Sequence, residues 1–238
     1  MKKVFFVIAL LANFQIVFAQ TEKGKFIIGS TLGFSTASGD HFKTSVDVGY
    51  NNYQDKLFDI APTVGYFFKD NHMIGGGALF SKGSGFSDVS YFNLGERTIR
   101  NYDSYNYGGQ IFYRNYFPLS KRLYLTPEFG FSFQTGKGDG SNNISQDLVY
   151  IGKENYTDRF NQARLFTKLN LSYFVSKKLS LDINLGTLEL NHRNVTREFT
   201  KLDNNNQIQD SYKSRNSITN FNSQFLFNNA RFGVQYYF

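Results

Sequence analysis

The chain lacks cysteine and tryptophan altogether and holds only three prolines among its 238 residues. Without cysteine it cannot form disulfides or be a lipoprotein anchored through cysteine. A secreted domain of this kind must be stabilised in another way, and a closed β-barrel is one. After the first nineteen residues, no apolar run reaches the length of a transmembrane helix.

A concentrated basic patch is also missing. The formal net charge is +7, but the charged residues are scattered along the chain. This pattern argues against nucleic acid as a partner, because nucleic-acid binding collects lysine and arginine on one face. We expect a surface that faces anionic lipid head groups or sugars.

The first nineteen residues have the pattern of a secretory signal peptide. Lys2 and Lys3 form the charged start, Val4–Ala12 the apolar core, and Val17–Ala19 a stretch with residues that a signal peptidase accepts. The apolar core is too short to anchor the chain in a bilayer. We therefore expect residues 1–19 to be removed and residues 20–238 to form a single domain.

Aromatic residues are abundant, with 27 Phe and 16 Tyr, and the chain also contains 21 Gly. Apolar side chains recur at every second position in many segments, which is typical of strands with one apolar face. The mean hydropathy is negative, at −0.38. A negative value suits a membrane barrel, in which only alternate residues face lipid while the lumen and loops are polar.

The alternation is clearest in the last eight residues. Phe232, Val234, Tyr236 and Phe238 fall on one face of a strand, and the residues between them fall on the other. Three internal segments end in the same way and are followed at once by a short turn. These segments are Tyr66–Phe68, Asn115–Phe117 and Tyr173–Val175.

The repeated pattern predicts eight strands, although ten are also compatible with it. The predicted strands are Lys25–Ser35, Lys56–Phe68, His72–Ser81, Tyr105–Phe117, Arg122–Gln134, Gln162–Val175, Leu179–Leu190 and Gln224–Phe238. Short turns follow the second, fourth and sixth strands. Four long polar connections follow the first, third, fifth and seventh strands, at about residues 36–55, 82–104, 135–161 and 191–223. Short turns at one rim and long surface loops at the other are typical of outer-membrane barrels.

This architecture resembles the small outer-membrane β-barrel proteins of Gram-negative bacteria, of the eight-stranded OmpA/OmpX type. The terminal Phe238, with Phe232, Val234 and Tyr236 before it, resembles the assembly signal of such proteins. The resemblance implies an all-β, up-and-down antiparallel transmembrane barrel in the cell outer membrane. The implied partners are outer-membrane lipid and lipopolysaccharide, the barrel assembly machinery, and an unknown ligand of the extracellular loops, with no nucleic acid.

Four charged residues fall on the face opposite the apolar one: Arg114, Glu128, Lys168 and Asp182. Opposite charges fit there, because an unpaired charge in a narrow lumen is costly. We interpret them as a polar network that fills the lumen, and a proton or ion path is the alternative. Together with Gln110, Tyr124, Asn170 and Asn184, they should prevent sustained conductance through a large pore.

Candidates for catalysis are few. The three histidines are His41, His72 and His192. Only His192 suits the outer-rim histidine of a lipid-modifying barrel enzyme, with Glu189 or Ser217 as its partner. Metal-ligand spacing is absent, and we predict no catalytic residue, cofactor or metal.

The sequence therefore predicts a non-enzymatic integral outer-membrane protein with a membrane-structural or surface-interaction role. Two alternatives stay open. One is the lipid-modifying enzyme with a rim histidine. The other is a soluble lipocalin-like barrel that hides its apolar face inside and binds a ligand there, and the direction of the apolar face distinguishes it from a membrane barrel.

Overall fold

The computed structural model describes residues 21–43, 49–91, 96–146, 149–203, 207–225 and 230–238. The predicted signal peptide, residues 1–19, lies outside these ranges. Every regular element within them is a β-strand. In the same ranges, no helix is long and apolar enough to cross a membrane.

The described strands are antiparallel to their neighbours, and most of them are long. In chain order they are β1 (Phe26–Lys43), β2 (Gly49–Lys69), β3 (His72–Tyr91), β4 (Glu96–Asn115), β5 (Phe117–Pro118), β6 (Leu123–Gln146), β7 (Val149–Ser176), β8 (Leu179–Leu202), β9 (Ile208–Phe225) and β10 (Ala230–Tyr237). The two-residue β5 pairs with β6 in the register of β4, so it continues β4.

The terminal strands close the barrel. The β1–β10 ladder runs from Ile27 opposite Tyr237 to Phe34 opposite Ala230. On its other edge β10 pairs with the first residues of β8. Eight strands, namely β1 to β4, β6 to β8 and β10, thus form a closed ring. This confirms the predicted all-β, up-and-down antiparallel barrel of eight strands, and the closed ring leaves no unpaired edge at this level.

The ring differs between its two ends. We define the lower barrel as the part whose wall includes β10, and the upper barrel as the part whose wall includes β9. In the described residues, β9 pairs with β8 alone. The end of β1, residues 35–43, pairs there with β2 alone. The upper wall therefore has a seam between β1 and β9 within the described ranges.

The three predicted short turns lie at the lower rim. They connect β2 to β3 at Asp70–Asn71, β5 to β6 through residues 119–122, and β7 to β8 at Lys177–Lys178. Asn71 has a φ of 64°, a left-handed conformation that asparagine tolerates better than most residues. The turns place both described ends of the chain at the lower rim.

The strands are longer than the sequence predicted. Most residues of the four predicted long loops lie in strands, as in β7 with 28 residues and β8 with 24. The upper connections contain residues 44–48, 92–95, 147–148 and 204–206, which lie outside the described residues. The difference has a physical reason. A strand that is polar on both faces lacks the apolar alternation that reveals strands, while its backbone ladder continues unchanged.

Large apolar side chains point outward over the wall. Exposed examples are Phe26, Ile28, Leu32, Phe34, Phe58, Val64, Ile74, Phe80, Tyr107, Ile111, Phe129, Phe131, Phe133, Leu165, Leu169, Leu181, Leu188, Phe232 and Val234. Ile111 keeps 66% of its surface exposed and Val64 keeps 58%. The barrel thus has its apolar face outside, which is the reverse of a lipocalin-like barrel.

Candidate functional site

Four inward-facing charged side chains meet in the lower barrel. Arg114 Nη2 lies 2.6 Å from Glu128 Oε2, and Arg114 Nη1 lies 3.1 Å from Asp182 Oδ2. Lys168 Nζ lies 3.0 Å from Glu128 Oε1. The structure thus brings together the four charged residues that the sequence placed in the lumen. Two cations face two carboxylates, so the cluster is formally neutral.

Because the charged groups of this cluster are buried, their stability depends on the ion pairs between them. Arg114 is 6% exposed, Glu128 3% and Asp182 6%. Charges removed from water to this degree are tolerated only when ion pairs and hydrogen bonds replace their hydration. Arg114 meets this need by donating from both Nε and Nη2 to Glu128. Loss of Glu128 would leave Lys168 without its carboxylate, and loss of Arg114 would leave Asp182 without its cation.

Uncharged polar residues extend the cluster towards the terminal strand. Gln235 Nε2 donates to Asp182 Oδ2 at 2.5 Å, and Ser180 Oγ donates to Asp182 Oδ1 at 3.2 Å. The hydroxyl of Tyr116 lies 3.3 Å from that of Tyr237. Sequence reasoning did not assign these residues to the site. The alternation in the last eight residues could have identified Gln235 and Tyr237, because both fall on the face opposite Phe238.

An aromatic floor closes the lumen below the cluster. Phe67, Tyr116, Phe174 and Tyr237 are at most 1% exposed. Their rings are in contact, with centroids 5.4 Å apart for Phe67 and Tyr116 and 4.9 Å apart for Phe174 and Tyr237. Tyr124 packs edge-on against Phe174 at 5.3 Å. Packed rings at the short-turn rim leave no room for an open channel at this level.

The remaining predicted lumen residues also face inward. Gln110, Tyr124 and Asn170 are buried. Asn184 Nδ2 donates to Asn170 Oδ1 at 2.8 Å. These side chains occupy the lower interior around the charged cluster.

A second layer of charge lies above the cluster. Arg231, at the start of β10, lies 3.5 Å from Asp59 on β2. Arg164 donates from Nη2 to Gln134 Oε1 at 2.5 Å and lies 3.8 Å from Glu189. A cavity of about 250 Å³ separates these side chains. Below the upper barrel, the interior is therefore small and lined by compensated charges.

The four residues of the predicted assembly signal lie on the outer face. Phe232, Val234, Tyr236 and Phe238 are all exposed. The Phe238 N–H donates to the Phe26 carbonyl oxygen at 2.9 Å, which ties the last residue to the first strand. The rings of Tyr236 and Phe238 pack edge-on at 5.0 Å.

The histidines do not form a catalytic group in the described residues. The His192 ring is hydrogen-bonded through Nδ1 to Thr219 Oγ1 at 2.9 Å, whereas Glu189 lies inside with Arg164. Glu189 and His192 are three positions apart in the regular part of β8, so the alternation along the strand puts the two side chains on opposite faces of the wall.

The other two histidines give no active site either. His72 Nδ1 lies 2.5 Å from the Tyr113 hydroxyl at the lower rim. The side chain of His41 lies outside the described residues. Ser217 is exposed and pairs in the ladder with Asn194 rather than with His192. Among the described residues, no group of His, Cys, Asp or Glu could hold a metal ion.

No family model matches the chain, and no curated protein matches it. Several solved structures are similar to it in shape. The outer membrane protein OprG from Pseudomonas aeruginosa is 13% identical, with a TM-score of 0.39, over 91% of this chain and 97% of that one. A major outer membrane protein from Thermus thermophilus is 13% identical, with a TM-score of 0.40, over 90% of this chain and 99% of that one.

The outer membrane protease OmpT from Escherichia coli is 10% identical, with a TM-score of 0.39, over 94% of this chain and 99% of that one. All three structures are outer-membrane proteins. The barrel fold of this chain is established by its own strand ladders, and membership of the OmpA/OmpX type is not shown.

Proposed function

We propose that this chain is an integral outer-membrane β-barrel protein without enzymatic activity, with a membrane-structural or surface-interaction role. The observation that carries the proposal is the inverted distribution of polarity. Apolar side chains cover the outside of the lower barrel, whereas its interior holds the Arg114–Glu128–Asp182–Lys168 cluster. In water this arrangement would expose a large apolar surface, and in a bilayer it is the stable one.

The height of the apolar outer face suits this location. A tilted strand needs about 9–11 residues to cross the hydrocarbon core. On β8, exposed apolar side chains continue from Leu181 to Leu190, close to that length above the turn at Lys177–Lys178. Aromatic side chains including Phe68, Tyr113 and Phe117 lie at the lower rim. Rings at this level favour contact with the membrane–water interface.

Export and assembly complete the proposal. Residues 1–19 would direct the chain across the inner membrane, and the barrel assembly machinery would read Phe238 and the alternating residues before it. Outer-membrane lipid and lipopolysaccharide would then contact the outer face. The upper barrel would present the residues that meet an extracellular ligand.

The enzymatic alternative finds no support in the described geometry. The hydrogen bond between His192 and Thr219 lies on the outer wall, away from the carboxylate of Glu189. Among the described residues, His192 has no carboxylate partner to orient its ring, which a base that activates a hydroxyl needs. A membrane protein without chemistry at this position is the simpler interpretation.

Cell fractionation tests the proposal. The full chain, expressed in a Gram-negative host, should be found with outer membranes and should migrate differently on gels before and after boiling. Purified protein in planar bilayers should give no sustained large-pore conductance, because the aromatic floor closes the lumen. Recovery as a soluble periplasmic protein would refute membrane insertion, and stable open channels would refute the closed lumen.

A further inference from the structure

The outer face of the lower barrel carries an apolar groove of about 640 Å³, in addition to the polar cavity of about 940 Å³ inside the upper barrel. Its central part crosses β2, β3 and β4, where Tyr66, Ile74 and Ile111 line it. The wall of a barrel is convex as a whole. A groove in that wall therefore offers a hydrocarbon chain more contact than the surrounding surface does.

Gly76 is the reason that the wall is recessed here. In the strand ladders it lies between Val64 on β2 and Ile111 on β4. It faces outward, because Ile74, two residues earlier on β3, is exposed. With no side chain at Gly76 to cover them, Val64 keeps 58% and Ile111 keeps 66% of its surface exposed. The floor of the groove is thus backbone, and its sides are apolar side chains.

A lysine and a histidine lie at the lower rim below the groove. Lys69, at the end of β2, is opposite His72, at the start of β3. The His72 ring is on the outer face, where its Nδ1 lies 2.5 Å from the Tyr113 hydroxyl and the two rings stack at 6.0 Å. Opposite residues in an antiparallel ladder share a face, so Lys69 also lies on the outer side.

The rim pair and the groove form one continuous strip of the outer face. Above Lys69 and His72 in the same ladder, the next outward pair is Tyr66 with Ile74, and the pair after it includes Gly76. The Phe26 ring packs against Tyr66 at 4.9 Å and bounds the strip on the side of β1. A molecule that reaches from the rim into the groove would therefore meet polar groups first and apolar ones above them.

The charge of Lys69 is available to such a molecule. Within the described ranges, Lys69 forms no ion pair. The carboxylate of its neighbour Asp70 accepts a hydrogen bond from the backbone N–H of Lys23 at 2.7 Å. The three lower turns together hold four cations and one carboxylate. A basic rim of this kind attracts anionic lipid head groups.

We propose that the strip binds a phospholipid of the leaflet at the lower rim. Its phosphate pairs with Lys69 and accepts a hydrogen bond from Nε2 of His72, and one acyl chain lies in the groove over Gly76. A diacylglycerol, which has no phosphate, would leave Lys69 without a counter-charge. A glycerophosphate, which has no acyl chain, would leave the groove unfilled.

The inference deepens the proposed role in the membrane and rests on insertion of the lower barrel in a bilayer. Native mass spectrometry of the purified full chain in detergent micelles measures lipid binding. The probe is dioleoyl phosphatidylglycerol, and dioleoylglycerol and glycerol 3-phosphate are the comparison ligands. A chain that fractionates with outer membranes but does not bind the probe selectively contradicts this inference alone, whereas recovery as a soluble protein contradicts the proposed function.

Phosphatidylglycerol should bind at one molecule per barrel, and both comparison ligands should bind about tenfold or more weakly. Lys69→Gln should weaken phosphatidylglycerol binding about fivefold, the usual effect of one cation at a lipid surface. Lys177→Gln is the control. Lys177 is an exposed cation in the turn between β7 and β8, away from the groove, so its loss should leave binding unchanged.

Gly76→Val tests the groove itself, because the new side chain fills it and should weaken binding by a similar factor. Gly109→Val is the matched control. Gly109 is an outward glycine of β4 outside the groove, where a Cβ would have only the Gly77 carbonyl oxygen, at 3.7 Å, within 4 Å. Gel mobility before boiling shows whether each variant is folded, and the exposed position of Lys69 makes its variant independent of packing.

Three results would overturn the proposal. The first is equal binding of dioleoylglycerol and phosphatidylglycerol by the unmodified protein. The second is unchanged phosphatidylglycerol binding by folded Lys69→Gln protein. The third is a mass of two chains without lipid that is lost in Gly76→Val, since this would assign the groove to a second copy of the chain.

Discussion

The lower and the upper barrel differ in how their strands are paired and in how much space their interiors contain. In the lower barrel, both edges of every strand are paired, and an aromatic floor and a neutral charge cluster leave only a cavity of about 250 Å³ above them. In the upper barrel, β9 is paired along one edge in the described ranges and the interior is hollow. The same wall thus holds a closed, packed part and an open, polar part.

The difference follows from the surroundings that we propose for each half. Backbone groups within a bilayer must be paired inside the protein, because lipid offers them no partner. Outside the bilayer, water can bond to an unpaired edge, so the seam costs little there. Function that needs a cavity is therefore compatible with the upper half and not with the lower half.

The largest effect is expected on barrel assembly, from a change of Phe238 at the end of the strand that closes the lower barrel. Deleting Phe238, or changing it to Asp, should strongly reduce assembled protein, because β10 closes the ring and its outer face carries the predicted assembly signal. Removing residues 204–206 is the control and should reduce assembly far less. Quantitative gels of unboiled outer membranes measure both.

The signal peptide of the Phe238 variant should still be cleaved, since export precedes assembly. Mature but unassembled chain should then accumulate in the periplasm and be open to proteases. Normal assembly of the Phe238 variant would show that the terminal strand is not read as a signal.

The next largest effect is a loss of stability, expected from a substitution in the charge cluster. Glu128→Leu removes the carboxylate that pairs with both Arg114 and Lys168. The free energy of unfolding should fall by about 3–5 kcal/mol, the usual cost of leaving a buried charge unpaired. Urea unfolding of the refolded protein in lipid vesicles provides the measurement.

The matched control for Glu128 lies in the upper barrel. Asp139 pairs with Lys137 at 2.8 Å, but both side chains are more than half exposed. Asp139→Asn should change the unfolding free energy little, because exposed ion pairs contribute little. Similar losses in the two variants would show that the lower interior is hydrated and not packed.

Two glycines test the contrast in packing. A Cβ at Gly130 would meet the Ile111 carbonyl oxygen at 2.5 Å, and backbone atoms cannot easily move. The nearest atoms to a Cβ at Gly140 all belong to the Tyr156 ring, which can swing into the upper cavity. Gly130→Ala should therefore cost about 1–3 kcal/mol of stability, and Gly140→Ala less. Thermal unfolding of the two variants under identical conditions compares them, and equal costs would contradict a hollow upper barrel.

The smallest effect concerns the attachment of β9. Lys213 on β9 donates to Glu198 on β8 at 2.8 Å. This hydrogen bond holds the pKa of the Glu198 carboxyl below its ordinary value of 4.5. The ion pair therefore contributes fully above that ordinary value and is lost as the pH falls through the lowered one.

Lys213→Met should raise the pKa of Glu198 towards its ordinary value, as seen in a carbon NMR titration of the carboxyl group. Lys201→Met, on the opposite face of β8, is the control. An unchanged titration midpoint after Lys213→Met would show that β9 does not hold its register against β8.

The sequence predicted the lower barrel well because one physical pattern governs it. A wall between lipid and a polar lumen requires alternation, so Phe232, Val234, Tyr236 and Phe238 could be placed outside. The same alternation placed Arg114 and Glu128 inside. The three short turns were also found, since turns interrupt the alternation sharply.

The upper barrel could not be predicted in the same way. Most side chains on both faces of its strands are polar, so long stretches of β6, β7 and β8 were interpreted as loops. The pairing of aromatic rings with glycines depends on neighbours across strands, as for Tyr156 and Gly140, and register is not visible along one segment. The position of Arg193 over Phe160 likewise depends on the β7–β8 register and its bulge.

The most direct test of the account asks which face of the wall meets lipid. Because the chain has no tryptophan, Phe131→Trp and Phe166→Trp each introduce a unique fluorophore. Phe131 is exposed on the outer face, and Phe166 lies within, one register position away on the neighbouring strand. In vesicles of brominated lipid, the account predicts strong quenching of the tryptophan at position 131 and little at position 166. Quenching at position 166 without quenching at position 131 would contradict it.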